Sequence, residues 1–205
     1  MIPKTDLVIA TRNQGKLDEI RKALSDLPWV NHPFKIHSLD EFPEIGEIEE
    51  DGKTFEENAL KKARTVCQAT RFLTLGDDSG LVVPYLNGSP GVFSARYSGP
   101  QATASQNNEK LLKELDGVPT EKRIASYVCV MVLVSPTGKE QLAKASCQGV
   151  ISETPKGSGG FGYDPLFFLP SLKKTMAEIP LELKNRLSHR GKALEEIKKK
   201  ISYAV

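Results

Sequence analysis

Two carboxylates stand side by side in Gly76-Asp77-Asp78-Ser79-Gly80, between apolar stretches. On an extended chain, neighbouring side chains point to opposite faces, so one carboxylate can bind a cation while the other supports the turn. Hard oxygen ligands favour Mg2+, which is usually held together with phosphate oxygens. An Asp-rich turn capped by its own side chains is the plainer reading of the same residues. Glu49 and Glu50 could add carboxylates; they end a stretch from Asp40 to Gly52 with seven acidic residues and no basic one, otherwise typical of a solvated loop.

Three further segments have residue types that suit a nucleotide. In Thr11-Arg12-Asn13-Gln14-Gly15-Lys16, a strand delivers a polar turn onto a helix start, where free N–H groups, the helix dipole and an ammonium suit phosphate oxygens. The same residues would also make an ordinary turn, and no Walker A motif occurs in the chain. In Gly159-Gly160-Phe161-Gly162-Tyr163-Asp164-Pro165, glycines let the backbone approach a ligand and the rings could stack on a base; a tight hairpin with core aromatics is the alternative. Lys184 and Ser188-His189-Arg190 place two cations and an imidazole near a helix start, where phosphates or base edges could be read. No Ser/His/Asp order or Cys/His pair points to covalent catalysis, which leaves direct attack by water.

These residues need elements to position them. Leu7 to Ala10 reads as a strand, followed by a helix through Leu27. Thr54-Phe55-Glu56-Glu57 reads as a capping box opening a helix that buries Phe55, Ala59, Leu60, Ala63, Val66 and Cys67, with Glu57 and Lys61 paired outside. Phe72 to Gly76 and Leu81 to Leu86 read as two strands flanking the acidic pair. Ala102 to Leu115 is a helix stopped by Asp116-Gly117, and Ile124 to Val134 a strand apolar on both faces, hence central in a sheet. Lys139 to Ile151 pairs with it, Leu166 to Leu169 is a further apolar run, Pro180 takes a first helical position, and Ser188 caps a last helix from His189 to about Tyr203.

Composition narrows the classes. Among 205 residues, 28 Lys plus Arg against 26 Asp plus Glu leave a net charge of +2, unlike a generic polyanion binder, and 39% hydrophobic residues exclude a disordered chain. A nucleotide- or RNA-binding module is suggested only by Lys198-Lys199-Lys200, which Glu195 and Glu196 dilute. Three cysteines, Cys67, Cys129 and Cys147, show no metal or disulfide spacing. The apolar runs are too short for a signal peptide or a membrane helix, so a cytoplasmic protein of one α/β unit without repeats is expected.

Taken together, the sequence closely resembles the noncanonical purine nucleoside triphosphate pyrophosphatases, the inosine triphosphate pyrophosphatase (dITP/XTP pyrophosphatase) family. The resemblance rests on Ala10 to Lys16, Thr54 to Ala59, Asp77 to Leu81, Gly91-Val92-Phe93-Ser94-Ala95-Arg96-Tyr97-Ser98-Gly99, Gly159 to Phe167 and Ser188 to Gly191, in family order across nearly the whole chain. Arg12 stands where many relatives have Gly. The resemblance implies an elongated, twisted mixed β-sheet flanked by helices, two lobes around a central substrate cleft formed by residues 1–205 as one bilobal domain, and usually a homodimer. It also implies house-cleaning hydrolysis, dependent on Mg2+, of dITP, ITP and XTP to the monophosphate and pyrophosphate. Carried over, Thr11, Asn13 and Lys16 lie in a phosphate-contacting loop that also holds Arg12, Gln14 and Gly15. Asp78 is the general base and a metal ligand, Glu49 or Glu50 its metal-binding partner, and Ser79 a substrate contact. Phe161, Gly162, Tyr163 and Asp164 form the nucleoside pocket, completed by Lys184, His189 and Arg190, with the last two on the base side.

Overall fold

The structure, a computed structural model, describes residues 5–25 and 34–201. In chain order its elements are β1 (Thr5–Ile9), α1 (Gln14–Ser25), β2 (Phe34–Ser38), α2 (Phe55–Thr70), β3 (Leu73–Val82) and α3 (Ala104–Glu114). There follow β4 (Ile124–Val134), β5 (Glu140–Ile151), β6 (Phe167–Leu169), β7 (Lys174–Thr175), α4 (Leu181–Leu187) and α5 (His189–Lys200). The strands form one mixed sheet in the order β2-β1-β3-β4-β5-β6-β7, with β1 parallel to β2 and β3, and β6 antiparallel to β5 and β7. No helix among the described residues is long and apolar enough to cross a membrane. Leu27 and Tyr203, the expected ends of the first and last helices, lie outside the described residues.

The chain divides into two compact units. The first comprises Met1–Asp78, Cys129–Ala145 and Arg190–Val205, the second Ser79–Val128 and Ser146–His189. In the first unit, Leu7 and Ile9 of β1, Leu75 of β3 and Met131 and Leu133 of β4 pack with Leu17 and Ile20 of α1 and Leu194 and Ile197 of α5. On the opposite face, Val130 and Val132 of β4 pack with Ala59, Ala63 and Cys67 of α2. Because side chains alternate along a strand, β4 is apolar on both faces only if helices cover both, and here they do. The second unit is built on Leu81, Leu111, Leu115, Tyr127, Ile151 and Phe167, with Tyr163 and Met176 among them. The cysteines Cys67, Cys129 and Cys147 are free and buried.

Four local details differ from the sequence pattern. The acidic pair is not a turn between two strands but lies inside the single strand β3, since ion partners rather than a turn satisfy the carboxylates. At α2, Thr54 Oγ1 accepts from Glu57 N at 3.1 Å as a cap should, but the Glu57 carboxylate accepts from Lys53 N at 2.6 Å, so the box closes one residue early. Lys61 pairs with Asp51 at 2.7 Å rather than with Glu57, whose carboxylate is turned to Lys53. Pro180 is the cap residue of α4 and Ser188 ends that helix, immediately before His189 opens α5.

Gly76 explains how α2 comes close enough to serve the acidic pair. A Cβ at Gly76 would collide with the Ala59 carbonyl oxygen and lie 3.0 Å from the Ala63 Cβ, so only glycine lets the helix seat against β3 here. Backbone cannot yield as a flexible side chain does. Gly76→Ala is therefore expected to lower stability by about 1 to 3 kcal/mol in urea denaturation, the usual cost of overpacking a tight contact; an unchanged midpoint would show that α2 has room to move away.

Candidate active site

In the first unit the chain leaves β1 and turns directly into α1, and two short side chains tie the turn. Asn13 N donates to Thr11 Oγ1 at 3.1 Å, and Lys16 N donates to Asn13 Oδ1 at 3.0 Å, so Asn13 caps the helix start. Gln14 reaches along the helix to Asp18 at 2.6 Å. Arg12 points to the acidic segment, donating to Asp40 at 2.9 Å and to the Ile45 carbonyl at 2.6 Å. Gly15 and Lys16 are half-buried, and the Lys16 ammonium lies 2.6 Å from Asp77.

Asp77 and Asp78 point to different partners, as alternation along an extended strand requires. Asp77 is fully buried between Lys16 and Arg190 Nε at 3.3 Å, and Cys129 Sγ donates to it at 3.1 Å. Burial alone would raise its pKa, but Lys16 and Arg190, with Lys62, outweigh it and hold the carboxyl well below the usual range. Arg190 in turn pairs with Glu19 of α1 at 2.6 Å and is itself buried. Arg190, expected on the base side, is thus engaged with the acidic pair of the first unit.

Asp78 sits against α2. Its Oδ1 lies 3.2 Å from Lys62 Nζ, and its Oδ2 accepts from Asn58 Nδ2 at 3.2 Å. Asn58 and Lys62 are four residues apart and share one helix face. The Asn58 side chain also accepts from Gly52 N at 2.8 Å, tying down the end of the acidic loop, and Glu50 reaches Lys62 Nζ at 2.6 Å. Burial raises the pKa of Asp78, outweighing Lys62 and Lys16, with Glu50 and Asp77 pushing the same way. Burial would lower the pKa of Lys62, but Asp78 and Glu50 raise it on balance, so the ammonium stays charged. Glu49 is exposed, and of the two candidate glutamates it is Glu50 that joins Asp78 around a single cation.

That shared cation tests whether a metal fits. Glu50 and Asp78 converge closely enough for one ammonium to contact both. No group of three or more His, Cys, Asp or Glu able to hold a metal occurs among the described residues. Two carboxylates suit a hard divalent cation that keeps waters and takes its remaining ligands from phosphate, which is the habit of Mg2+.

The second unit builds a separate cluster around Asp164, which is buried. Its Oδ2 accepts from Phe161 N at 2.9 Å and from Lys184 Nζ, and its Oδ1 accepts from Tyr127 Oη at 3.2 Å. Lys184 also lies over the Phe161 ring, 4.9 Å from its centroid. Gly160 has φ +70° and would drive a Cβ into the Asp164 carboxylate, so glycine is required there. Tyr163 donates to the Ser94 carbonyl at 2.9 Å, and Asn108 to the Gly162 carbonyl at 3.1 Å. His189 is buried and stacks on Tyr127 with ring centroids 4.6 Å apart. Ser79, half-buried, follows Asp78 directly along β3.

A mixed α/β sheet carrying paired carboxylates, each set against a lysine, is equipped to handle a metal-bound phosphate compound. The chain belongs to the Ham1 family, whose model matches residues 7–200. It is 55% identical over 194 residues, 95% of each chain, to the dITP/XTP pyrophosphatase of Geobacter sulfurreducens. It is 48% identical over 197 residues, 96% of each chain, to that of Shouchella clausii. Among solved structures, a HAM1 protein from Coxiella burnetii matches with TM-score 0.85 and 39% identity over 98% of this chain and 100% of that one. The dITP/XTP pyrophosphatase of Mycobacterium abscessus matches with TM-score 0.74 and 39% identity over 94% and 97%.

The sequence pattern alone did not single out Asn58, Lys62, Glu19 or Tyr127. Lys62 carried a signal: it falls between Ala59, Ala63 and Val66 on the apolar face of α2, where a lysine needs a buried counter-charge. Asp77→Asn should lower stability by about 3 to 5 kcal/mol, because Lys16 and Arg190 would keep their charges without the carboxylate they share. Since the folded-state pKa of Asp77 is depressed, its contribution is present above the unfolded carboxylate value and lost as pH falls below it toward the folded one. Urea midpoints measured from pH 5 downward should therefore fall less steeply for the variant than for the wild type; parallel slopes would show that Asp77 is not the group whose protonation loosens the fold.

Proposed function

We propose that this protein is a divalent-metal-dependent nucleoside triphosphate pyrophosphohydrolase acting on deaminated purine nucleotides, dITP, ITP and XTP, releasing the monophosphate and pyrophosphate. The observation that carries the reading is the cluster of Glu50, Lys62 and Asp78 on the strand-helix framework that also holds Lys16. Its support from outside the site is the similarity to proteins named dITP/XTP pyrophosphatase over nearly the full length. Residues 1–205 act as one bilobal domain, in the cytoplasm and as a homodimer, with no nucleic acid or membrane as partner.

The chemistry follows from the side chains. Glu50 and Asp78 would hold Mg2+, which supplies Lewis-acid polarisation of phosphate oxygens when bound. Asp78 is the general base: its carboxylate takes the proton of a water as the water oxygen bonds to the α-phosphorus. The α–β bridging bond breaks and pyrophosphate leaves with the bonding pair. Lys16 and Lys62 offset the growing negative charge, while Asn58 orients the Asp78 carboxylate. Arg190 acts through Asp77, sharing with Lys16 the charge of that carboxylate. Ser79 contacts the substrate beside the base.

The base is recognised by Phe161 to Asp164, Lys184 and His189. Hypoxanthine and xanthine present a 6-oxo acceptor, whereas adenine presents a 6-amino donor that leaves buried donors facing a donor. Each unpaired buried polar group costs about 1 to 3 kcal/mol, so a few such contacts separate deaminated purines from adenine.

Pyrophosphate release tests the reading. Wild-type protein with Mg2+ should release pyrophosphate from dITP far faster than from dATP, and chelation should stop it. Asp78→Asn should keep the fold while losing on the order of 10²-fold or more in rate. A variant that keeps more than about a tenth of the rate excludes Asp78 as the base.

A further inference from the structure

Lys62 occupies the position that the metal reading gives to a cation. Its ammonium lies 2.6 Å from Glu50 Oε1 and 3.2 Å from Asp78 Oδ1, and only 7% of the residue is exposed. An ammonium and a divalent cation cannot both sit against the same two oxygens, because their mutual repulsion in a buried site far exceeds its value in water. Lys62 is the cation in contact with both carboxylates, and it stays while nothing replaces its charge there. Lys61, its neighbour in sequence, is directed outward to Asp51 and takes no part.

We propose that Lys62 holds the Glu50–Asp78 pair in the nucleotide-free enzyme and so makes metal binding conditional on the nucleotide. The inference rests on the reading that these two carboxylates are the metal ligands. The triphosphate supplies both what the lysine needs in order to move and what the metal lacks. Its oxygens accept the ammonium on a stem of four methylenes, and they complete the coordination shell that two carboxylates leave short. Asn58 keeps Asp78 in place through the exchange, since it holds the other carboxylate oxygen at 3.2 Å. A consequence is that free divalent ions in the cell do not load the site by themselves, and the metal arrives with the substrate it will activate.

The test uses Mn2+ as an observable divalent ion, with free ion counted by its paramagnetic resonance signal as the full chain is added. Without nucleotide, the wild type should bind Mn2+ weakly, Lys62→Met about tenfold or more tightly, and Lys61→Met like the wild type. With a non-hydrolysable α,β-methylene analogue of dITP, the wild type should gain tight Mn2+ binding. Comparing the wild type with and without the analogue keeps the question answerable even if Lys62→Met folds poorly. Mn2+ binding by the wild type that is equally tight with and without the analogue overturns the proposal, as does Lys62→Met binding no tighter than the wild type. Failure of the underlying metal reading looks different: Glu50→Gln and Asp78→Asn would then leave Mn2+ binding in the presence of the analogue unchanged.

Discussion

Asp77 and Asp78 place two adjacent negative charges inside β3, where water cannot solvate them. A buried carboxylate is tolerable only with counter-charge and hydrogen bonds at close range, and alternation along the strand means that the two acids need separate sets. The first unit is organised around meeting that demand. The first turn of α1 supplies Lys16, the same helix supplies Glu19 to steady Arg190, and the start of α5 supplies Arg190. On the other side, α2 supplies Asn58 and Lys62 to Asp78, and Gly76 lets that helix lie close enough to do so. In the proposed function the same cations that make the pair tolerable, Lys16 and Lys62, also meet the triphosphate.

The second unit repeats the device with a single acid. Asp164 is buried and organised by Lys184, the Tyr127 hydroxyl and the Phe161 N–H, while the absence of a side chain at Gly160 leaves room for the carboxylate. The segment from Phe161 to Asp164 is therefore a loop whose shape is set by a buried charge rather than by regular hydrogen bonding. His189 and Arg190 are neighbours in sequence that serve different clusters: His189 stacks on Tyr127, and Arg190 pairs with Asp77 and Glu19.

Much of this was legible in the residues. The strand Ile124–Val134 was marked by its continuous apolar run, and the face of α2 by the spacing of Ala59, Ala63 and Cys67, because both patterns follow from burial alone. The chemistry-bearing segments were visible from residue types, and the resemblance to a known family joined them. Partners distant in sequence were not visible: Arg190 is 113 residues from Asp77 and 171 from Glu19, and no local pattern encodes such pairs. The strand through Asp77 and Asp78 was missed for the same reason. A doubly acidic segment looks like a turn unless its counter-ions are known. Lys62 was hidden by Lys61, since two adjacent lysines on a charged helix read as one solvated face.

The central claim is that Asp78 directs water onto the α-phosphorus, with pyrophosphate as the leaving group. Hydrolysis of dITP in water enriched in the heavy oxygen isotope, followed by mass spectrometry of both products, tests it most directly. The account predicts that the label enters the dIMP phosphate and that pyrophosphate carries none. Label in the pyrophosphate would mean attack at the β-phosphorus and would contradict the assignment of Asp78 and its surrounding cations to the α-position.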